Sequence, residues 1–243
     1  MFRPTVLITR PEARAAADRA VWQSAGWRSV SFCPMAIEPL PQALADLPTR
    51  YEQADVVFWV SPTAVQTAFA VLGDQLAIAN VPNIAVGRAT ASALEQTGCR
   101  RVVVPDDGQD SEAVLRLSVW QQLPQAARVL IVRGEGGRSF LPESLQQQGF
   151  QVELAEIYQR KMQAVDLAVL QDESVRAVWV ASAETARLLF DQVPLELVQK
   201  LKSLLYFTHH SKIAAALQQQ GVEKIEVIDR LSRDILSPYA ESI

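Results

Sequence analysis

The sequence predicts an α/β protein made of two doubly wound parallel-sheet domains that arose by internal duplication. Three observations carry this expectation. Short β-branched apolar runs alternate with helix-patterned segments along the chain. The two halves repeat each other when the chain is slid by 123 positions, which places Val6 on Val129, Leu7 on Leu130, Ile8 on Ile131, Arg10 on Arg133, Glu12 on Glu135 and Gly26 on Gly149. Strands buried on both faces, rather than alternating apolar with polar, are what a parallel sheet covered by helices requires.

Taken in order, Thr5 to Thr9 is the first strand, and the alanine-rich segment Glu12 to Ala25 is a helix closed by Gly26. Arg28 to Phe32 is a second strand. The segment Pro34 to Pro41 carries three prolines and cannot be a regular helix, so Ile37 to Pro41 reads as a linker. Val56 to Ser61 is a buried strand leading into a helix over Ala64 to Leu72, and Val175 to Ser182 repeats it, with Val57 over Val178 and Ser61 over Ser182. Asn83 to Gly87, the helix from Arg88 to Gly98 and the strand Arg101 to Val104 are echoed by Leu204 to Thr208, Ser211 to Gly221 and Lys224 to Ile228. Asp110-Ser111-Glu112 starts a helix over Ala113 to Gln122, matched near the far end by Ser232 to Tyr239.

The most informative stretch is Arg128 to Lys161. The strand Val129-Leu130-Ile131-Val132 runs into Gly134-Glu135-Gly136-Gly137-Arg138, and a helix with Phe140, Leu141 and Leu145 on one face follows from Ser139 to Gln148. Its glycines leave amides bare at a helix N-terminus, and Arg133 and Arg138 add positive charge, so the loop is built to hold a carboxylate or phosphate. As a dinucleotide fingerprint it is incomplete, because Ser139 stands where the third glycine belongs. The bland alternative is a tight strand-to-helix turn.

The formal net charge of −4 argues against a nucleic-acid or membrane-surface binder, and any anionic ligand must meet local positive charge. Two cysteines, Cys33 and Cys99, without a CxxC, suggest neither a disulfide framework nor a metal cluster. The chain opens Met1-Phe2-Arg3-Pro4 and passes into a strand, from which an untargeted, cytoplasmic protein without membrane spans is expected.

In doubly wound sheets ligands sit beyond the carboxyl ends of the strands. Those positions collect Arg10, Ser61, Thr63, Gly87, Arg88, Thr90, Arg133, Gly134, Gly136, Gly137, Arg138, Ser182, Thr185, Ser211 and Lys212: a rim of hydroxyls, amides and cations. Ser61, Ser182 and Ser211 also suit plain helix capping. A serine hydrolase is disfavoured, since the two histidines, His209 and His210, are adjacent and no GxSxG is present. Trp59 and Trp179 fall in strands as core residues, whereas Trp22 and Trp27 suit a helix-sheet edge. Tyr158, at the end of the strand after the glycine loop, is the acid–base candidate.

Together RVLIVRGEGGR at 128–138, IYQR at 157–160, ITRP at 8–11, AVGRATASAL at 85–94 and HSKIAAAL at 210–217 resemble the uroporphyrinogen-III synthase family over nearly the whole chain. The resemblance implies two discontinuous α/β domains, residues 1–37 with 162–243 and residues 38–161. A two-segment hinge, Ile37 to Pro41 and Ile157 to Gln163, would pair as a short antiparallel ladder, with the active site in the cleft between the domains. It implies cofactor-free cyclisation of hydroxymethylbilane to uroporphyrinogen III, with loss of water and inversion of the last ring through an azafulvene and a spiro intermediate. Tyr158 is implied as proton donor to the departing hydroxyl. Ser61 and Thr90 in one domain, and Ser182 and Ser211 in the other, are implied as carboxylate contacts. The family often has glycine and threonine where this chain reads His210-Ser211-Lys212-Ile213. Expected partners are the small-molecule substrate and a transient contact with hydroxymethylbilane synthase, with no nucleic acid, for a monomer. The alternatives are a non-catalytic two-domain sensor or carrier for a polyanionic small molecule and, third, a nucleotide-dependent oxidoreductase.

Overall fold

The computed structural model describes residues 3–78 and 80–242, so the opening Met1-Phe2, read above as untargeted, lies outside the described residues. In chain order the first elements are β1 (Thr5–Ile8), α1 (Glu12–Ser24), β2 (Arg28–Ser31), β3 (Met35–Pro39), α2 (Pro41–Glu52), β4 (Val56–Trp59), α3 (Pro62–Leu72), α4 (Gln75–Ile78), β5 (Asn83–Ala85), α5 (Arg88–Gln96) and β6 (Val102–Val103). There follow α6 (Ser111–Leu115), α7 (Val119–Gln122), β7 (Arg128–Gly134), α8 (Phe140–Gln147), β8 (Gln151–Met162) and a 3-10 turn (Leu167–Gln171). The rest is β9 (Val175–Trp179), α9 (Ala183–Asp191), α10 (Leu195–Ser203), β10 (Leu205–Thr208), α11 (Ser211–Gln219), β11 (Ile225–Val227) and α12 (Arg233–Ser242).

The chain divides into two compact units, Met1–Ala36 with Lys161–Ile243, and Ile37–Arg160. The first holds a five-stranded parallel sheet in the order β11-β10-β9-β1-β2. Successive side chains of β1 alternate between its faces: Val6 and Ile8 join Trp22, Trp27 and Phe207, while Leu7 joins Val178, Leu189 and Tyr206. The second sheet runs β3-β8-β7-β4-β5-β6, with β7 and β4 at its centre and β4 to β8 parallel. Val57 and Trp59 go to one core, Val56 and Phe58 to the other.

The duplication is visible strand by strand. Reading β8-β7-β4-β5-β6 against β2-β1-β9-β10-β11, each strand of one sheet has its sequence counterpart at the same place in the other. Both sheets thus have the spatial order 2-1-3-4-5, whose switch point lies between β1 and β9 in one unit and between β7 and β4 in the other. Helix ends repeat as well: Gly26, Gly98, Gly149 and Gly221 all take left-handed φ of 83–92°, the conformation in which a side chain would clash.

Several expectations are corrected by packing. Ile37 to Pro41 is not a free linker. β3 lies beside β8; Gln163 N donates to the Pro34 carbonyl and Leu40 N to the Ile157 carbonyl, so the partner number falls as the residue number rises, which is antiparallel pairing. Pro41 then begins α2, a helix the prolines concealed: Pro41 occupies the first turn, where no amide bond is lost, and Leu44, Leu47 and Tyr51 are buried along one face. The expected helix over Ala113 to Gln122 breaks into α6 and α7, and the Trp120 indole N–H takes the Val114 carbonyl at 2.7 Å. β6 is shorter than Arg101 to Val104, and β8 continues past Tyr158 to Met162. Trp22 and Trp27 are core rather than edge, with ring centroids 5.2 Å apart edge to face.

Candidate functional site

In the unit of residues 37–160 the switch point is built by the ends of β4 and β7. Ser61 leaves β4 in extended conformation and its Oγ accepts from Ala64 N at 3.1 Å, which starts α3 behind Pro62. The same Oγ lies 3.2 Å from the Tyr158 hydroxyl. With one lone pair engaged by the cap, Ser61 can donate to the phenol oxygen and leave the phenol hydrogen directed elsewhere, or accept from it.

Tyr158 is 1% exposed and comes from β8, opposite Gly134, where the register shifts by a bulge between Arg133 and Gly134. Gly134 is required for space: a Cβ there would lie 2.6 Å from Tyr158 Cζ and overlap the ring. Gly137 is required for the same reason, since its Cβ would fall 2.6 Å from Arg133 Nε. Gly136 has φ of +71° with open space around it, a left-handed turn that favours glycine.

Arg133 has a different place from Arg138. It is 5% exposed; its Nη1 donates to the Arg138 carbonyl at 3.1 Å and its Nε to the Gly134 carbonyl at 3.3 Å, with Glu156 at 3.6 Å. The guanidinium therefore braces the loop from within, and Arg138 stands exposed at its tip. The Glu135 amide is taken by the Tyr158 carbonyl, whereas among the described residues nothing accepts from the amides of Gly136, Gly137 and Arg138. α8 follows at once, so the loop presents bare amides, a helix N-terminus and a cation to solvent. Phe140, expected on the buried face of that helix, is 46% exposed beside it.

On the same unit Gly87 caps α5 in extended conformation, and its buried backbone faces the flexible Gln109 side chain. Arg88 is exposed and Thr63 half-buried in the first turns of their helices, while Thr90 is 1% exposed, turned into the packing of α5.

In the other unit Ser182 caps α9, accepting from Thr185 N at 3.0 Å and donating to Thr185 Oγ1 at 2.7 Å. Ser211 is not a cap. His210 is, its Nδ1 accepting from Lys212 N at 3.0 Å, and Ser211 is the exposed first residue of α11. Arg10, at the end of β1, pairs with Asp18 of α1 at 3.0 Å, and Asp18 also accepts from the Trp179 indole N–H at 2.7 Å. His209 lies beside Trp179, ring centroids 5.9 Å apart, and its pKa is depressed by burial first and then by the positive charges of Arg10 and His210. A histidine with a folded pKa below its unfolded one leaves the unfolded state binding more protons as pH falls through about 6.5, so its contribution destabilises on acidification. His209→Gln is therefore expected to flatten the loss of stability between pH 7 and the carboxylate range, read as Tm against pH.

Asp18 and Glu156 carry no signal in the sequence, and Trp179 is legible there only as a strand core residue. Asp18 lies two helical turns from Arg10 in an alanine-rich segment, and the pairing exists because α1 packs back on β1. No helix among the described residues is long and apolar enough to cross a membrane.

The family described as Uroporphyrinogen-III synthase HemD matches residues 17–232 of this chain. The chain is 30% identical to the uroporphyrinogen-III synthase of Escherichia coli over 253 aligned positions, covering 96% of this chain and 98% of the relative. It is 32% identical to that of Salmonella typhimurium with the same coverage. Its fold is similar to the crystal structure of a mutant uroporphyrinogen III synthase from Thermus thermophilus, with a TM-score of 0.59 at 18% identity over 98% of each chain.

Proposed function

We propose that this chain, which belongs to the uroporphyrinogen-III synthase family, cyclises the linear tetrapyrrole hydroxymethylbilane to uroporphyrinogen III with inversion of the last ring and loss of water. The observation that carries this beyond family membership is the Tyr158 phenol, held by Gly134 and Ser61 on the strand whose Tyr158 carbonyl takes the Glu135 amide at the start of the glycine loop.

The chemistry asks little covalent work of the protein. The Tyr158 hydroxyl donates a proton to the leaving hydroxyl oxygen as the carbon–oxygen bond breaks, water departs, and the electron-rich pyrrole stabilises the azafulvene that forms. The substituted carbon of the terminal ring then attacks, which gives the spiro intermediate. Unassisted closure uses the free carbon instead, so the protein's task is to hold a flexible chain in the less accessible geometry. Eight substrate carboxylates provide the handles. Backbone amides and hydroxyls at Ser61, Thr63, Gly87, Gly136, Gly137 and Ser211, with Arg10, Arg88 and Arg138, are the receiving groups, whereas Thr90 is packed inside α5, Gly134 seats the Tyr158 ring, Ser182 is engaged with Thr185 as a cap, and Arg133 orders the loop. Each favourable helix terminus contributes about 0.3–1 kcal/mol, so positioning is shared among many. The enzyme works as a cytoplasmic monomer and takes its unstable substrate through transient contact with hydroxymethylbilane synthase.

The test is a coupled assay in which porphobilinogen and hydroxymethylbilane synthase generate the substrate and the oxidised products are separated as type I and type III isomers. Type III in excess of the enzyme-free control is the expected result. Type I alone would replace this reading with that of a carrier for polyanionic small molecules.

A further inference from the structure

The Arg10 guanidinium is held through one nitrogen. Nη1 donates to Asp18 Oδ1 at 3.1 Å and to Oδ2 at 3.0 Å, while among the described residues nothing accepts from Nε or Nη2. Those two nitrogens form the edge that matches a carboxylate with two parallel hydrogen bonds. A purely structural ion pair would gain by turning that edge to Asp18.

Asp18 cannot follow a mobile arginine. It is 8% exposed, and its Oδ2 is also pinned by the Trp179 indole at 2.7 Å. Trp179 is the last residue of β9, paired with Ile8 of β1, and the Thr9 hydroxyl donates to its carbonyl at 2.9 Å. The anchor is thus part of the central strand pair, at the switch point where this sheet order places ligands. The Arg10 side chain keeps 22% of its surface exposed, so the free edge is reachable. Both Asp18 oxygens are already engaged by donors, which limits its repulsion of a second carboxylate.

We infer that Arg10 binds a carboxylate of the tetrapyrrole through its Nε–Nη2 edge, and that Asp18 and the Trp179 indole are positioning residues that aim it. The inference rests on the proposed function for the identity of the ligand. Asp18 acts through Arg10, so the two effects must not multiply.

The experiment compares wild type, Arg10→Lys, Asp18→Asn and the double variant by two readouts. One is kcat and KM in the coupled assay. The other is direct binding of anaerobic uroporphyrinogen III followed by tryptophan fluorescence, which needs no turnover. Lysine keeps the charge and the Asp18 pairing but lacks the fork. The expected result is a rise of about tenfold in KM and Kd for Arg10→Lys with kcat within about twofold, as loss of one charge-assisted fork implies. Asp18→Asn should raise both several-fold alone and add nothing in the Arg10→Lys background. Wild-type KM and Kd in either single variant, multiplying effects, or a change confined to kcat would overturn the inference. Wild type that binds the product but yields only type I would fail the proposed function, and the Kd values would still decide the role of Asp18.

Discussion

Tyr158→Phe is expected to lower kcat by about a hundredfold or more, the usual range for removing a general acid, with KM changed little. The variant removes one oxygen and leaves its surroundings intact: Ser61 keeps its capping bond from Ala64 N, and the ring keeps its seat over Gly134. Stability should fall by no more than about 1 kcal/mol, the net worth of one hydrogen bond. The coupled assay reads kcat and isomer ratio together. Because spontaneous closure continues, the type I share should rise as enzymatic turnover falls. An unchanged turnover number would remove Tyr158 from the role of acid and leave it to water or to a carboxylate of the substrate.

Gly134→Ala should cost about as much activity although it keeps the Tyr158 hydroxyl in the chain, because it displaces the ring. Gly134 does not have a left-handed φ, so the objection to alanine is space alone. Its Cβ would overlap a ring that is 1% exposed. The ring must shift, drawing its hydroxyl from Ser61, and overpacking of this kind costs about 1–3 kcal/mol. We expect kcat to fall about a hundredfold, as a misplacement near 1 Å does, and Tyr158→Phe in the Gly134→Ala background to add little. Gly149→Ala separates backbone strain from this steric effect. At φ of +92° with open space around it, Gly149 closes a helix away from the site, so alanine should lower Tm and leave kcat alone. Equal loss of kcat in both variants would show that the glycines act through stability.

How far the sequence reached follows from which interactions are local. The α/β alternation, the duplication and the caps at Ser61 and Ser182 are written within a few residues of each other, as strand runs, helix periods and side chains that meet amides three positions on. The rim at the carboxyl ends follows from those, because strand order and handedness leave the loops nowhere else to gather. α2 was hidden although its apolar spacing is regular: Pro41 removes nothing in a first turn, but Pro48 lies inside the helix and removes an amide bond, and the helix holds because Leu44, Leu47 and Tyr51 are buried along it.

By itself, then, the sequence determined the architecture of each half and the family, and it marked the glycine loop and Tyr158 as the site candidates. Tertiary structure alone decided which cations face outward. Arg10 and Arg133 occupy equivalent positions in the repeat, but one is anchored by Asp18 and Trp179 and the other is buried under Gly137 against Glu156. The physical reason is that a charged side chain near a sheet end takes its position from whichever carboxylates and carbonyls packing brings within about 3 Å, and those partners come from elements far apart in the chain.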